Sequence, residues 1–476
     1  MTKTRASAAI GPLLVALAAA APAAAQWGQF RGPNGAGVDA SAGYPVLFSP
    51  TDHVIWKAAL PFARSSPVVV GSHVYVTATE GERLLTICLD AATGHERWRR
   101  ETPRAHKHEI YRANDPAAPT PAADADGVVV FFADYGLVAY ATDGTERWTL
   151  PLGPFRNFYG MAASPIIAAD LVVMLCDQSS GSFMLALDRK TGQQRWRQQR
   201  PSAPVSWTTP MVFQPAGNAG IAELVVLGST RLDAYALDTG EPRWWLPLAS
   251  NGSIGTAVAH GDAVLLSTLS TSEPWMETFE AMAAKFDADR NGRITRVEFE
   301  GERDWRDHFG WIDADSDGVI VAPEWAAARD MGIGEYGVAA VRPARQRGKL
   351  DPSSVRWRFK KNLPYIPSPL VYQDLLYMVK DGGIVTTLDA ATGQTLKEGR
   401  ATGAAGKYVA SPVAADGKVF LASADGKVTV LKAGPQWDVL GVNDVGDEIQ
   451  ATPALSGGRI YVRTRGMLYC FGAAKD

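Results

Sequence analysis

Short runs of alternating or continuous apolar residues recur along most of this chain and are typical of β-strands. Residues 73–78 read HVYVTA and residues 128–133 read VVVFFA, and such patterns place one or both faces of a short strand against a core. The runs come in pairs around a Gly or Asp turn, and an Asp-x-x-Thr-Gly segment and a Trp then follow. Asp caps this second turn, Gly supplies its positive φ, and the Trp leads an outer strand. Each unit therefore predicts a sheet of four antiparallel strands.

Each unit begins with a Ser-Pro or Thr-Pro step, which allows the units to be counted. The Ser or Thr of these steps is Ser66, Thr120, Ser164, Thr209, Ser368, Ser411 and Thr452, and Thr256-Ala257 fills the missing fifth place. The unit endings also align, at residues 89–98 (LDAATGHERW), 141–148 (ATDGTERW), 187–196 (LDRKTGQQRW), 237–244 (LDTGEPRW) and 388–396 (LDAATGQTL). The last of these has Leu in place of Trp. The chain therefore carries eight repeats.

The repeat length predicts an all-β, eight-bladed β-propeller of four-stranded antiparallel blades. The repeats occupy residues 53–271 and 336–476, which gives 45 residues for each of eight units, and a four-stranded blade needs ~40–45. The last unit stops without its Trp strand, whereas residues 53–60 (HVIWKAAL) form an unpaired Trp strand before the first unit. We predict that this strand completes blade eight and closes the ring, because an open solenoid would leave two exposed sheet edges.

Residues 272–335 interrupt the fifth unit with a helical pattern and two acidic loops. The first loop, DADRNGRITRVE at residues 287–298, resembles the twelve-residue calcium loop of an EF-hand. Side-chain oxygens at alternate positions converge on one hard cation, Gly292 allows the sharp turn, and a final glutamate supplies two oxygens. The predicted ligands are Asp287, Asp289, Asn291, Arg293 (through its carbonyl), Thr295 and Glu298.

The second loop, DADSDGVIVAPE at residues 313–324, has the same pattern and makes the insert resemble a pair of EF-hands. Its predicted ligands are Asp313, Asp315, Asp317, Val319 (through its carbonyl) and Glu324. Ile294 and Ile320 should pair in a short bridge between the loops. Val321 offers no side-chain ligand at position 9, and the loops start only 26 residues apart, so we expect the second loop to bind more weakly. Calcium is the predicted cofactor, in a structural role.

The first 25 residues read as a secretory signal peptide. Lys3 and Arg5 precede an apolar run, and Ala23-Ala24-Ala25 offers a small-residue cleavage site. The run is shorter than the ~20 residues of a membrane span, so we predict no transmembrane anchor and a periplasmic or secreted protein. Residues 26–52 are then an N-terminal leader. The three cysteines, Cys88, Cys176 and Cys470, are too few for a disulfide framework and read as buried thiols.

The net charge of −3 is distributed unevenly along the chain. Residues 272–335 carry 16 acidic and 7 basic side chains, so a strongly acidic insert accompanies a mildly basic propeller. Because the net charge of the whole chain is slightly negative, the chain has no positive field that would attract a nucleic acid. We therefore expect no nucleic-acid partner and a chain that is monomeric.

The unit endings resemble the tryptophan-docking repeat of PQQ-like, or quinoprotein-type, β-propellers. Cys88, Gly94 and Trp98 fit the spacing of that repeat closely, as do Ala186, Gly192 and Trp196. The resemblance implies the eight-bladed fold and leaves two function classes open. Some members are noncatalytic scaffolds of the cell envelope. Others are dehydrogenases that hold pyrroloquinoline quinone and a Ca²⁺ on the propeller axis.

We favour a noncatalytic propeller that binds a protein or polymer of the cell envelope. The alternative is a quinone-dependent alcohol or sugar oxidoreductase, but the adjacent cysteines of many such enzymes and the haem motif are absent, and no catalytic residue is identified. Residues 155–159 (FRNFY) and 360–365 (KKNLPY) lie at connections between blades, where one end of the axis would be lined. Arg156, Asn157, Lys361 and Asn362 are candidates for a ligand mouth, with a structural role as the favoured interpretation. For His106 and His108, a solvated loop is favoured over a metal site, because their loop is polar and rich in both charges.

Overall fold

The structure is a computed structural model. It describes residues 26–107, 114–200, 205–214, 222–250, 252–270, 274, 276–299, 301–315, 317–331, 333–343 and 346–473. The predicted signal peptide at residues 1–25 and His108 of the candidate metal site lie outside the described residues.

The repeats form the eight four-stranded antiparallel blades of a β-propeller, as predicted. In chain order, blade 1 holds β3 (Val68–Val70), β4 (His73–Glu80), β5 (Arg83–Asp90) and β6 (Glu96–Thr102). Blade 2 holds β7 (Ala122–Asp124), β8 (Gly127–Phe132), β9 (Gly136–Ala141) and β10 (Glu146–Pro151). Blade 3 holds β11 (Ile166–Ala168), β12 (Leu171–Cys176), β13 (Phe183–Asp188) and β14 (Gln194–Gln199). Blade 4 holds β15 (Met211–Phe213), β16 (Glu223–Leu227), β17 (Arg231–Ala236) and β18 (Pro242–Pro247).

The second half of the ring repeats this arrangement. Blade 5 holds β19 (Val258–His260), β20 (Ala263–Thr268), β23 (Gly337–Val341) and β25 (Val355–Phe359). Blade 6 holds β26 (Leu370–Tyr372), β27 (Leu375–Lys380), β28 (Ile384–Asp389) and β29 (Thr395–Arg400). Blade 7 holds β30 (Val413–Ala415), β31 (Lys418–Ala422), β32 (Lys427–Lys432) and β33 (Asp438–Asp444). Blade 8 holds β34 (Ala454–Ser456), β35 (Arg459–Arg463), β36 (Met467–Phe471) and, from the N-terminus, β2 (Val54–Ala59).

Closure of the ring by the N-terminal Trp strand is confirmed. Strand β2 pairs antiparallel with β36, and Trp56 faces Cys470 in that register. The first and last parts of the repeat region therefore share one sheet, and the exposed edges of an open solenoid are avoided.

Neighbouring blades are held together by a tryptophan–glycine contact. The Trp of one outer strand lies on the turn glycine of the next blade, where a Cβ on Gly192, for example, would come within 2.6 Å of the Trp148 ring. The indole N–H donates to a carbonyl of the same turn, as from Trp148 to Arg189 over 3.0 Å. Five seams have this contact, through the pairs Trp56–Gly94, Trp98–Gly144, Trp148–Gly192, Trp196–Gly240 and Trp357–Gly393.

The remaining three seams are built differently. At the seam of blades 4 and 5, Trp244 donates instead to Glu223 within its own blade, and β24 (Gly348–Lys349) extends the blade 4 sheet in parallel with β18. Between blades 6 and 7, Lys397 lies over the Trp437 ring at 4.1 Å. Between blades 7 and 8, Phe48 of the leader bridges Asn443 and Phe471.

The first part of the leader, residues 26–43, lies inside the ring, along the inner edges of the blades. Strand β1 (Gln26–Trp27) pairs with β3 of blade 1, and the Gly28 carbonyl accepts the Ala123 N–H of blade 2 over 2.7 Å. The Pro33–Gly35 turn follows, and Asn34 exchanges two hydrogen bonds with Val212 of blade 4. Further contacts reach blade 6 (Arg31 to the Pro369 carbonyl) and blade 7 (Val38 beside Ala414). The leader therefore plugs the axial channel and touches blades all around it.

The three cysteines are buried and free, as expected. Burial raises the pKa of the Cys88 and Cys470 thiols to about 12, so neither is a thiolate at neutral pH. Cys88 and Cys470 lie in strands of blades 1 and 8, and Cys176 in blade 3. They serve as small apolar core residues.

The described part of the insert contains three short helices between β20 and β23. Helices α1 (Phe279–Phe286), α2 (Arg303–Ile312) and α3 (Ala322–Asp330) surround a two-stranded ladder of β21 (Ile294–Thr295) and β22 (Val319–Ile320). The predicted pairing of Ile294 with Ile320 is confirmed. A separate apolar core joins these elements, formed by Met276, Met282, Ile294, Phe299, Phe309, Ile312, Ile320, Trp325 and Ala328.

The tryptophan–glycine contact predicts a specific sensitivity to Gly192→Ala. Gly192 has φ of +71° and the Trp148 ring fills the space of a Cβ, so both backbone strain and overlap result. We expect the free energy of unfolding to fall by about 2–4 kcal/mol in urea titrations. Gly81→Ala is the matched control, since Gly81 has φ of +61° but open space around it, and it should cost only about 1 kcal/mol. Equal losses in both variants would contradict a role for the indole contact.

Candidate functional site

A ring of hydroxyl groups surrounds the propeller axis at the start of the innermost strands. From the second repeat onwards, the Ser or Thr of each step accepts the backbone N–H of the preceding step's Ser or Thr, for example Ser66 N–H to Thr120 Oγ1 over 3.0 Å. Seven such bonds of 2.9–3.3 Å link the eight repeats in order, through Ser66, Thr120, Ser164, Thr209, Thr256, Ser368, Ser411 and Thr452. The Ser or Thr that marks each repeat in the sequence therefore also joins neighbouring blades at the axis.

A cavity of about 460 Å³ lies on the axis beside this hydroxyl ring. The residue two positions before each Ser or Thr also lines it, because alternate residues of an extended chain face the same side. These eight positions form a second ring, made of Arg64, Ala118, Ala162, Trp207, Ile254, Ile366, Val409 and Gln450. Asn114, Phe30 of the leader, Tyr159 and Tyr365 of the inter-blade loops, and His308 and Trp311 of the insert complete the lining.

The predicted mouth loops do reach the axial cavity, but through other residues than those predicted. Tyr159 and Tyr365 line the cavity, whereas Arg156, Asn157, Lys361 and Asn362 are not among its lining residues. Arg156 bonds to Ser180 at the surface, and the buried Asn157 caps its own turn by accepting the Tyr159 N–H. The prediction selected the charged and amide side chains of these loops, whereas the wall of the axial cavity is mainly aromatic and apolar.

The sequence interpretation did not identify the second ring, although the repeat pattern contains the information that locates it. The repeat step fixes a register, and counting back two residues from each step gives every member of the second ring. Trp207, two residues before Thr209, is the clearest example. The Trp207 indole N–H donates to the Gly160 carbonyl over 2.8 Å, and its ring meets the Tyr159 ring edge-on at 5.5 Å. Trp207 is therefore held rigidly in the cavity wall.

The first calcium loop brings its predicted carboxylates together. Oxygens of Asp287, Asp289 and Glu298 lie within 4.8 Å of one another. The nearly buried Asp287 accepts the N–H groups of Asn291 and Gly292, which wraps the loop around its carboxylate. Glu298 accepts the N–H and the hydroxyl of Thr295. These are hard oxygen donors, so the donor set fits Ca²⁺.

The second loop also gathers three carboxylates, but this cluster does not include the predicted final ligand Glu324. Oxygens of Asp313, Asp315 and Asp317 lie within 4.8 Å of one another, and Asp313 accepts the N–H groups of Asp317 and Gly318. Burial raises the pKa of the Asp313 carboxyl, and the charges of Asp317 and Asp315 add to this effect. Glu324 accepts the N–H groups of Ala314 and Val321 across the loop. Two similar oxygen clusters therefore flank helix α2.

Comparison with known proteins identifies the family. Residues 45–276 and 290–476 match the model of the family described as "Outer membrane protein assembly factor BamB". The chain belongs to this family. A BamB relative from Burkholderia pseudomallei (strain K96243) is 25% identical over 223 residues, or 47% of this chain and 52% of the relative. The match thus spans about half the length of this BamB relative.

Solved structures share the fold at low sequence identity. BamB from Moraxella catarrhalis has a TM-score of 0.54 at 12% identity, covering 89% of this chain and 98% of that one. Quinohemoprotein alcohol dehydrogenase from Comamonas testosteroni has a TM-score of 0.57 at 12% identity, covering 94% and 81% respectively. A europium-containing methanol dehydrogenase gives 0.56 at 12% identity, covering 94% and 98%. At these identities the likeness shows the propeller fold alone.

The axial cavity offers no carboxylate for the calcium ion of a bound quinone. Such a cation needs oxygen ligands from the cavity wall, and the described lining contains no Asp or Glu, only the amide side chains of Asn114 and Gln450. Its one arginine, Arg64, is already paired with the buried Asp115 at 3.2 Å. Among the described residues, the acidic groups close enough to share a metal ion lie instead in the insert.

Helices able to span a membrane are not found in the part of the chain that the structure describes, since all of its helices are too short and too polar.

Proposed function

We propose that this protein is an exported, noncatalytic scaffold of the bacterial cell envelope that binds a protein partner and holds calcium in its insert. Membership of the BamB family supports this proposal. The observation that carries it is the second axial ring, whose eight positions contain three bulky aliphatic residues, two alanines and no carboxylate. This ring therefore supplies no carboxylate to serve as the acid, the base or a charged cation ligand of a reaction on the axis.

Exposed apolar side chains on and beside the outer strands of blades 7 and 8, here called the apolar strip, support the partner-binding part of the proposal. Among the described residues, seven large hydrophobic side chains are exposed, and four of them belong to this strip: Leu47, Ile55, Leu440 and Val442. Leu47 is 58% exposed and packs beside Gly441 of β33, whereas Val442 lies on the opposite face of that strand, next to Gly403. The strip therefore spans more than one face, and its concentration on two neighbouring blades favours a contact region there. An outer membrane assembly protein is the proposed partner.

Site-specific photo-crosslinking tests this surface. A photoreactive residue replaces Val442 in the strip or, as the control, Thr149, an exposed position in the outer strand of blade 2. In a bacterium that produces the protein, we expect the Val442 position to give a discrete adduct that mass spectrometry identifies as an outer membrane assembly component. The Thr149 position should give none. Identical products at both positions, or no discrete adduct at Val442, would contradict a binding role for the strip.

The alternative, a quinone-dependent oxidoreductase, is favoured only by the presence of an aromatic axial cavity. Titration with pyrroloquinoline quinone and Ca²⁺ decides between the two functions. We expect no stoichiometric quinone uptake and no dye reduction with alcohols or sugars, because the described wall offers no carboxylate for the quinone-bound cation. Uptake of one quinone per chain with substrate-dependent dye reduction would overturn the scaffold proposal.

Calcium binding by the insert is tested by calorimetry of the full chain. Asp287→Ala and Glu298→Ala each remove an oxygen ligand from the first loop, so affinity at that loop should fall by at least about tenfold. Asp313→Ala and Glu324→Ala should do the same at the second loop, which we expect to bind more weakly. Glu277→Gln is the matched control, since this exposed carboxylate pairs with Lys285 outside both loops. Unchanged binding in the loop variants would reject these residues as ligands.

A further inference from the structure

Helix α2 of the insert forms the roof of the axial cavity. Its residues His308 and Trp311 line the cavity. A methyl group on Gly310 would already touch the Phe158 ring at 3.4 Å, so the helix lies directly on the mouth loop. The Phe158 ring meets Tyr159 edge-on with ring centroids 5.0 Å apart. The roof and the mouth therefore form one continuous aromatic layer.

The C-terminal end of α2 runs directly into the second calcium loop. Asp313 caps the helix, and its N–H donates to the Phe309 carbonyl over 2.9 Å. The carboxylate of the same residue is the first predicted ligand of the loop and accepts the N–H groups of Asp317 and Gly318 over 3.1 and 3.0 Å. Any change in the loop that moves Asp313 therefore moves the last turn of the helix, which carries Trp311.

The N-terminal end of α2 is tied to the first calcium loop by packing. Glu298 is the last predicted ligand of that loop, and Phe299 follows it immediately in the insert core. The Phe299 ring meets Phe309 of α2 edge-on and stacks with Trp305, with centroids 6.3 Å apart in both cases. The Glu302 N–H, just before the helix, donates to the Phe299 carbonyl over 3.0 Å. When Glu298 is held in place, the adjacent Phe299 ring, against which the helix packs, is held as well.

We propose that calcium binding by the two loops sets the position of α2 and thereby controls access to the axial cavity. This inference rests on the proposed calcium binding. Each loop gathers three carboxylates whose oxygens lie within 4.8 Å of one another, and these repel one another unless a cation lies between them. With Ca²⁺ present, both ends of α2 are held and the roof is closed over the mouth. Without it, the loops relax and the helix with its two cavity residues loosens.

The size of the cavity determines what a closed roof would exclude. At about 460 Å³, the cavity lies within the ~300–1,000 Å³ of small-molecule sites. An equilibrium between open and closed roof would therefore admit or exclude a small molecule or a partner side chain. Calcium shifts that equilibrium only as far as its affinities for the two states differ, and an occupant of the closed cavity would in turn tighten calcium binding.

Hydrogen exchange of the full chain, measured by mass spectrometry with and without Ca²⁺, tests the proposal. We expect Ca²⁺ to slow exchange in both loops, in α2 and also in the mouth loop at residues 155–162 by about fivefold or more, because opening of the roof exposes that loop. The outer turn at residues 90–95 serves as an internal control and should not change. If Ca²⁺ protects the two loops but leaves residues 155–162 unaffected, the roof proposal is wrong while calcium binding stands. If Ca²⁺ changes neither region, both are wrong.

Two sets of variants separate the roof from general stabilisation of the chain. Glu298→Gln with Glu324→Gln should abolish the protection of residues 155–162, whereas Glu277→Gln should retain it. Trp311→Ala keeps both loops intact but removes the largest roof side chain. It should preserve the calcium-dependent protection of the loops and lose that of residues 155–162. Full protection of the mouth loop in Trp311→Ala would overturn the role of α2 as the roof.

Discussion

The ring depends on one repeated interaction, in which an indole from one blade lies flat on the turn glycine of the next. A four-stranded sheet has two apolar faces and cannot bury both alone, so each seam must be dry and closely packed. Glycine meets this need because it adopts the positive φ of the turn and has no Cβ to hold the indole away. The indole N–H then finds a carbonyl in the same turn, so no buried donor is left unpaired. Trp56 makes this contact on Gly94 and so closes the ring with the chain's own N-terminal part.

The seams that lack this contact are the places where this chain differs from a plain repeat. At the seam of blades 4 and 5, Trp244 turns to Glu223, and the insert interrupts blade 5 beside it. At the next irregular seam, Lys397 covers Trp437. At the third, the leader crosses from blade 7 to blade 8 through Phe48, and the exposed apolar strip lies beside it. Where the standard contact is missing, the chain has room for additional elements and for exposed apolar surface.

At the axis, the residues that join the blades are distinct from the residues that determine what the cavity can hold. The hydroxyl ring is nearly uniform because seven of its eight members accept the N–H of the preceding member. The second ring, two residues earlier, has no such shared bond and varies from Ala162 to Trp207 to Arg64. Its members determine what the cavity can hold. The leader closes one side of this space with Phe30, and the insert covers the other with Trp311.

The sequence by itself determined the number of blades, the closing strand, the position of the insert and the loop oxygens that converge. These features depend on short patterns, such as strand alternation, the Asp-x-x-Thr-Gly turn and the twelve-residue loop, which act within a few residues of the chain. Only the tertiary structure showed that residues 26–43 occupy the channel, that Tyr159 and Tyr365 rather than their charged neighbours reach the cavity, and that α2 covers it. These outcomes join segments that are far apart in the chain, as with Gly310 and Phe158. Such contacts are decided by which surfaces remain apolar once the ring has closed, and no local pattern contains that information.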